Sequence, residues 1–186
     1  LDWNEDWGTF NMNLKNGVTL QAGQEIHFYG KAIEYIPEGA VVQFAGAQGG
    51  HFIFKQARPA EINANPEYII GIATSTFSGN GVFGYITMFG FVNNLNTTTA
   101  PLDFNEGDIL WFDSMNDGTY GKLTTTKPAA PKAKVRMAVC SRRHQNQGSV
   151  FVRPDFGYKL GDLQDVQNAA ENGDILAHNG SYWEPS

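Results

Sequence analysis

The side chains best suited to metal binding or acid–base chemistry are four histidines that lie far apart along the chain. They are His27, His51, His144 and His178. Metal sites built on one element place two histidines a few residues apart, as in H-x-x-H or H-E-x-x-H, because this spacing aims both rings at one point. No pair in this chain has that spacing, so we predict neither a metal ligand nor histidine-based catalysis.

Acidic side chains could instead cleave glycosidic bonds, which requires two carboxyl groups about 5–10 Å apart, one of them kept protonated. The acids of this chain lie mostly beside glycine or asparagine, as in Glu38-Gly39, Asp117-Gly118 and Asn172–Asp174. Carboxylates in such positions usually cap the backbone of solvated turns. The sequence also lacks the G-x-S-x-G turn of hydrolases and the G-x-x-x-x-G-K-[ST] phosphate loop. We therefore predict no catalytic residue, no cofactor and no enzymatic activity.

One acidic turn offers the oxygen ligands that calcium prefers. Asp113, Asn116 and Asp117 lie close together, and the triplet Asn116-Asp117-Gly118 is typical of a tight turn. The ligand spacing of an EF-hand is absent, and acidic hairpin tips are common without a metal. We therefore predict a turn at this place rather than a cation site.

Aromatic residues near turns and chain ends allow two interpretations. Exposed rings can stack on sugars, or they can pack against other chains, where burying a large apolar side chain contributes roughly 1.5–3 kcal/mol. Interchain packing is the interpretation that we favour, with sugar platforms as the alternative. The residues concerned are Trp3, Trp7, Tyr120, Tyr158, Tyr182 and Trp183.

Composition indicates β-structure with many turns. The 186 residues are 41% hydrophobic and 13% aromatic, include 21 glycines, and are only 17% charged. A net charge of −6, with a locally positive stretch only near Arg142–His144, argues against a nucleic-acid partner. No apolar run approaches the roughly 18 residues of a membrane span, so we predict no membrane insertion. Cys140 is the single cysteine and allows no disulfide within the chain.

Short apolar or alternating segments recur about every ten residues, with turn residues between them, which is the pattern of a sandwich or barrel. We therefore predict an all-β fold, an antiparallel β-sandwich or barrel body with a short C-terminal fibre-like extension. Helical spacing is weak, and Ala57–Ala64 could form one short turn, with Pro59 as the residue that would break it. The predicted strands are Val18–Leu20, Glu25–Tyr29, Ala40–Phe44, His51–Lys55, Ile69–Ala73, Gly81–Thr87, Asp108–Phe112, Lys134–Cys140 and Gly148–Val152.

A shift in composition near Gly157 divides the chain into a β-rich body, residues 1–157, and a C-terminal extension, residues 158–186. An extension this short cannot bury its own apolar side chains, so they must pack on the body or on other copies of the chain. Leu160, Leu163 and Val166 recur at a spacing of three and could face a three-fold axis; a short helix packed on its own body is the alternative. The predicted trimer-interface residues are Leu160, Leu163, Val166, Ile175, Leu176, Tyr182 and Trp183.

Glycine-anchored fragments follow one another in a fixed order along nearly the whole chain. In this order they resemble a module found in tail-fibre and related virion proteins of tailed bacteriophages. The segment 160–166, L-x-D-L-x-D-V, and the segment 173–183, G-D-x-L-x-x-x-G-x-x-W, are similar to a unit that repeats in phage fibres. The other matching fragments are Trp3–Asn4, Gly8–Phe10, Gly17–Gln21, Gly23–Glu25, Gly39–Gly49, Ile70–Thr74, Gly84–Thr87, Gly90–Thr97, Glu106–Trp111, Gly121–Thr124, Lys127–Pro131 and Gln147–Val152.

The resemblance implies a structural role in a virion, usually as a homotrimer, with no catalytic residues to carry over. Its expected partners are copies of itself and other tail, baseplate or head proteins, with a host surface glycan as a further possibility. The expected function is that of a tail-fibre segment linking the particle to a distal receptor-binding region. The alternatives are a carbohydrate-binding receptor-recognition module of the same appendage and a head-attached fibre or decoration protein. The chain departs from the pattern at Cys140–His144, where the family usually has a more apolar strand ending.

Overall fold

The computed structural model describes residues 1–159, 162–163, 165–166 and 173–185, which form two compact units, Leu1–Phe156 and Gly157–Ser186. The chain is almost entirely β-structure, so the predicted fold class is confirmed. In chain order the strands are β1 (Asp2–Asn4), β2 (Thr9–Asn13), β3 (Thr19–Gln21), β4 (Ile26–Ala32), β5 (Val41–Gln48), β6 (His51–Gln56), β7 (Ile69–Ala73), β8 (Phe83–Leu95), β9 (Ile109–Phe112), β10 (Leu123–Thr124), β11 (Lys134–Arg142), β12 (Gly148–Gly157), β13 (Leu176–His178) and β14 (Trp183–Pro185).

Helical structure is confined to short pieces in the described chain. One α-helix, α1, spans Pro59–Ala64, and two 3₁₀ turns span Lys15–Gly17 and Pro66–Tyr68. Pro59 begins α1 and does not break it, because the first helical positions need no backbone N–H for the helix ladder.

Five strands close a barrel in the order β4–β6–β5–β7–β8, with β8 returning to β4. Strands β4 and β6 run parallel, whereas the other neighbours in the barrel run antiparallel. The parallel pair departs from the antiparallel body that the sequence predicts. It arises because β6, the second strand of the β5–β6 hairpin, pairs with β4. The crossover from β4 to β6 that a parallel pair requires is formed by β5 and the segment that precedes it.

The barrel interior is filled by apolar side chains from its own strands and from the loops between them. Phe54, Phe77, Ile36 and Ile86 are almost completely buried there. Gly71 of β7 lies against β8, where a Cβ atom would collide with the carbonyl oxygen of Thr87. The small cross-section of the barrel therefore depends on a position that tolerates no side chain.

The 13-residue strand β8 extends beyond the barrel and starts a second sheet region in the order β8–β12–β11–β9–β10. Side chains on its inner face form a second core with residues of β5, α1 and β7. The largest of those on β9 and β11, Leu110, Phe112 and Met137, are fully buried. One long strand thus shares two cores and joins the barrel to the second sheet region.

A three-stranded sheet, β1–β2–β3, precedes the barrel and is held to it by one buried carboxylate. The Glu25 side chain, 2% exposed, accepts hydrogen bonds from the backbone N–H of Gln21 at 2.8 Å and of Phe91 at 3.1 Å. His27 Nε2 lies 3.5 Å from the same carboxylate. Glu25 therefore joins β3 to β8.

Replacing Glu25 by alanine is expected to lower the free energy of unfolding by roughly 3 kcal/mol, because two buried backbone N–H groups lose a charged acceptor. Urea denaturation followed by tryptophan fluorescence measures this change. The control is Glu5→Ala, at an exposed turn position of the same small sheet, for which we expect a change within about 0.5 kcal/mol. Equal effects of the two substitutions would contradict the anchoring role.

Candidate functional site

An outer face formed by the second sheet region and the adjacent barrel strand β4 carries a row of apolar side chains that crosses five neighbouring strands. We name this row the apolar ladder; it consists of Ile26, Phe89, Phe151, Val139 and Ile109, on β4, β8, β12, β11 and β9. Ile26 pairs with Phe89, Val139 pairs with Ile109, and the Phe89 and Phe151 rings lie 5.2 Å apart. A shallow cavity of about 160 Å³ lies between Phe151, Val139 and Ile109.

Members of the ladder are exposed to an unusual degree for a contiguous apolar row. Ile26 is 57% exposed, Ile109 45%, Phe89 38% and Val139 37%. Single exposed apolar residues are ordinary on protein surfaces, whereas contiguous apolar patches are typical of surfaces that contact another molecule. Covering it would add apolar burial that the chain alone does not provide.

Aromatic contacts extend the ladder toward the N-terminal sheet. Phe91 lies 5.0 Å from Phe151, and Trp7 lies 5.1 Å from Phe91, both with edge-to-face geometry. Trp7 itself is 45% exposed. At the other side, an ion pair between Arg136 and Asp155 at 2.6 Å lies close to the row. An apolar centre beside charged groups is the usual anatomy of a protein–protein interface.

The sequence predictions did not include the ladder, although a signal for it was present. Val150–Val152 and Ala138–Cys140 are uninterrupted apolar triplets, as is Ile109–Trp111. Strands with one face in water normally alternate apolar and polar residues, whereas uninterrupted apolar strands have both faces covered. In this chain one face of these strands is covered by the core, and the other carries the exposed side chains of the ladder.

The seven predicted trimer-interface residues all fall in the C-terminal unit; six of them are described, and Leu160 lies outside the described residues. Ile175 is 73% exposed, Leu163 44%, Trp183 43% and Tyr182 39%, while Val166 and Leu176 are half-buried. Strands β13 and β14 form an antiparallel pair in which His178 opposes Trp183. The unit therefore leaves most of its large apolar side chains in contact with solvent.

An apolar hollow of about 290 Å³ gathers part of this set. It is lined by Leu163, Val166, Leu176 and Trp183 together with Asp165. The Trp183 backbone N–H donates to the Asp165 carbonyl at 2.7 Å, and this bond holds the start of β14 against the turn at Asp165. The structure thus brings four of the predicted residues around one concave surface, and Ile175 and Tyr182 are not part of its lining.

The turn between β13 and β14, at Asn179-Gly180, is organised by one side chain. Asn179 Oδ1 accepts hydrogen bonds from the backbone N–H groups of Ser181 at 3.0 Å and Tyr182 at 3.1 Å. Its amide nitrogen donates to Glu184 Oε2 at 3.0 Å. One asparagine side chain therefore organises the whole connection and holds Tyr182 at the surface.

Family models, characterised proteins and solved structures were each compared with this chain, and none of them matches it. Within the part of the chain that the structure describes, none of the helices has the length and apolarity needed to cross a membrane.

The acidic turn that offered calcium ligands is held by other side chains. Asn116 Nδ2 donates to Asp113 Oδ2 at 2.7 Å, and Lys122 Nζ lies 3.8 Å from the same oxygen. Lys132 Nζ lies 3.4 Å from Asp117 Oδ1. Across residues 1–159 and the described parts of the C-terminal unit, no group of three His, Cys, Asp or Glu side chains is arranged to hold a metal ion.

The segment Cys140–His144, where the chain departs from the phage pattern, ties the end of β11 to a neighbouring loop. Arg143 Nη1 contacts Asp103 Oδ1 at 2.8 Å and donates to the Phe104 carbonyl at 2.6 Å. Thr97 Oγ1 donates to the Arg142 carbonyl at 2.9 Å. Cys140 is buried in the second core, and this burial raises the pKa of its thiol. The Arg143 guanidinium of the locally positive stretch is thus engaged in structural contacts.

Proposed function

We propose that this chain is a non-enzymatic structural segment of a tailed-phage fibre, that it assembles as a homotrimer, and that it links the particle to a more distal receptor-binding region. The ordered fragments that resemble phage fibre modules support the assignment to a virion. The observation that carries the proposal is that both units present apolar side chains outward, although the body already has two filled cores.

A closed barrel suits a part that transmits force. Its strands pair on both sides, so separating any of them breaks several backbone hydrogen bonds together with the apolar core. The single cysteine is buried and cannot add an intrachain crosslink. Strength beyond that of one chain must then come from contacts between chains, and the outward apolar residues can provide these contacts.

Three-fold symmetry repeats each interchain contact three times, which makes a modest apolar contact per chain sufficient for a stable assembly. The ladder on the body and the hollow of the C-terminal unit would each contact a neighbouring copy. Other tail, baseplate or head proteins would then bind at the ends of the assembled rod.

Light scattering coupled to size-exclusion chromatography is expected to give three times the 20.5 kDa chain mass at micromolar concentration. Antibodies raised against the chain should label a tail appendage of intact particles in negative-stain electron microscopy, with pre-immune serum as the control. A monomeric mass at all concentrations would refute the assembly. Labelling confined to the head would assign the chain to a different appendage.

A further inference from the structure

Two cavities of the first unit meet at the same pair of residues. The larger one, about 600 Å³, lies between the loop before β5, the segment that follows β8 and the loop between β9 and β10. The smaller one, about 300 Å³, lies between the 3₁₀ turn at Lys15–Gly17, the end of β7 and β8. Glu38 and Asn94 line both cavities. We call these two adjoining cavities the two lobes of one cleft, and the volume of the larger lobe is within the usual range of about 300–1,000 Å³ for ligand sites.

The two shared residues carry hydrogen-bonding groups that the fold leaves unused. The Glu38 backbone N–H donates to Thr76 Oγ1 at 3.3 Å, but among the described residues no side chain pairs with its carboxylate. Partial burial raises the pKa of Glu38. Asn94 has a φ of 64°, a left-handed conformation that is uncommon outside glycine and is best tolerated by asparagine. A carboxylate and an amide side by side can accept from and donate to adjacent hydroxyl groups.

An aromatic ring, that of Tyr120, also lines the larger lobe. Tyr120 is 48% exposed, and the Arg58 guanidinium lies 5.1 Å from its ring centroid. Arg58 is itself paired with Glu34 at 2.9 Å. The next residue, Gly121, exchanges backbone hydrogen bonds of 2.8 Å with Ala57 and Val41, which fixes this loop to the barrel. The ring is therefore held in place before any ligand arrives.

The charges around the cleft favour an uncharged ligand. An anion would approach the Glu38 carboxylate, and a cation would approach Lys122 on the same lining and Arg58 behind the tyrosine ring. A polyhydroxylated ring is uncharged, so neither the carboxylate nor the cationic groups repel it. Its C–H face can pack on Tyr120 while its hydroxyls reach Glu38 and Asn94. We propose that this two-lobed cleft binds a neutral oligosaccharide, with Tyr120 as the stacking platform and Glu38 and Asn94 as the hydroxyl-recognising groups.

This site is independent of the oligomeric state, so a monomeric chain would refute the trimer and leave the cleft intact. Two lobes on either side of Glu38 require at least two sugar units for full occupancy. A disaccharide should therefore bind more tightly than the corresponding monosaccharide.

Saturation-transfer difference NMR on the full chain tests the proposal with maltose, cellobiose, lactose and N,N′-diacetylchitobiose as probes. Glucose tests the need for two units, and the anionic trisaccharide sialyllactose tests the preference for a neutral ligand. We expect at least one neutral disaccharide to give transfer at millimolar concentration, and Tyr120→Ala to weaken its binding by about tenfold through loss of the ring face. Glu38→Gln, which keeps the shape of the side chain, should also weaken binding.

The matched control is Tyr68→Ala, which removes another exposed tyrosine of the same unit that does not line the cleft. Melting temperatures of the variants show whether each has folded. Loss of binding in Tyr120→Ala and Glu38→Gln, with binding retained in Tyr68→Ala, supports the site. The proposal is overturned if no neutral disaccharide binds, if both cleft variants bind as the unchanged chain does, or if sialyllactose binds as tightly as lactose.

Discussion

Replacing Gly71 by valine is expected to cost more than about 3 kcal/mol of folding stability or to prevent recovery of folded protein. A Cβ at this position would overlap the carbonyl oxygen of Thr87 and touch Ile86. Backbone cannot move aside as a flexible side chain can, so the cost should exceed the usual 1–3 kcal/mol of an overpacked core. Because Gly71 lies where β7 meets β8, the substitution acts on the last pairing that closes the barrel.

A valine at Gly118 is the matched control for this prediction. Gly118 lies in the turn between β9 and β10, and nothing lies within 4 Å of the position that its Cβ would take. We expect a change within about 0.5 kcal/mol there. Urea denaturation and near-ultraviolet circular dichroism measure both variants. A Gly71→Val protein that is as stable as the control would show that the barrel can widen at this seam.

Most strands of the body could be predicted because their apolar residues cluster or alternate at strand spacing. The boundaries of β7 agree with the prediction at Ile69–Ala73, and those of β9 and β6 differ by one residue. Turn-favouring residues between these segments predicted where one strand ends and the next begins. These elements have strong local preferences that agree with the tertiary structure.

Features that depend on distant contacts were not predictable in this way. The prediction ended β8 at Thr87, but the strand continues through Gly90, which faces the Glu25 side chain. A glycine inside a strand usually signals a break, and here it allows a close approach instead. Strands β1, β2 and β10 were not predicted, because each is short and carries few apolar residues. The parallel β4–β6 pair depends on which neighbour the β5–β6 hairpin inserts beside, and no local pattern encodes that choice.

The candidate site was predicted in the extension and overlooked on the body. Residues 158–186 are too few to enclose a core of their own, and this shortage follows from length alone. The ladder required knowing which face of each strand points outward, and this depends on the bulges that shift register in β4, β8, β11 and β12. The cleft at Glu38 and Asn94 depends on three loops that are distant in sequence, and only folding brings them together.

Leu163→Asp is expected to dissociate the trimer while leaving the body folded. Leu163 is 44% exposed and lines the hollow of the C-terminal unit, so a neighbouring chain must cover it if the extension assembles. Losing that contact weakens the free energy of association by roughly 1 kcal/mol per chain, and the trimer contains three such contacts. The three introduced carboxylates near one axis also repel one another. Light scattering should then report the chain mass. Leu163→Met keeps the apolar contact and should remain a trimer.

Ile109→Asp on the apolar ladder separates the contribution of the body from that of the extension. Ile109 is 45% exposed, so aspartate there should change the stability of an isolated chain little, and Leu1→Asp at a 77% exposed terminal position is the control. If the ladder binds a neighbouring copy as the extension does, Ile109→Asp alone also shifts the equilibrium from trimer toward monomer, most clearly at low concentration. Sedimentation equilibrium over a hundredfold concentration range measures these shifts. If the Leu163→Asp protein keeps the trimer mass, the extension is not part of the interface between chains. If the Ile109→Asp protein keeps the trimer mass, the ladder is not part of that interface.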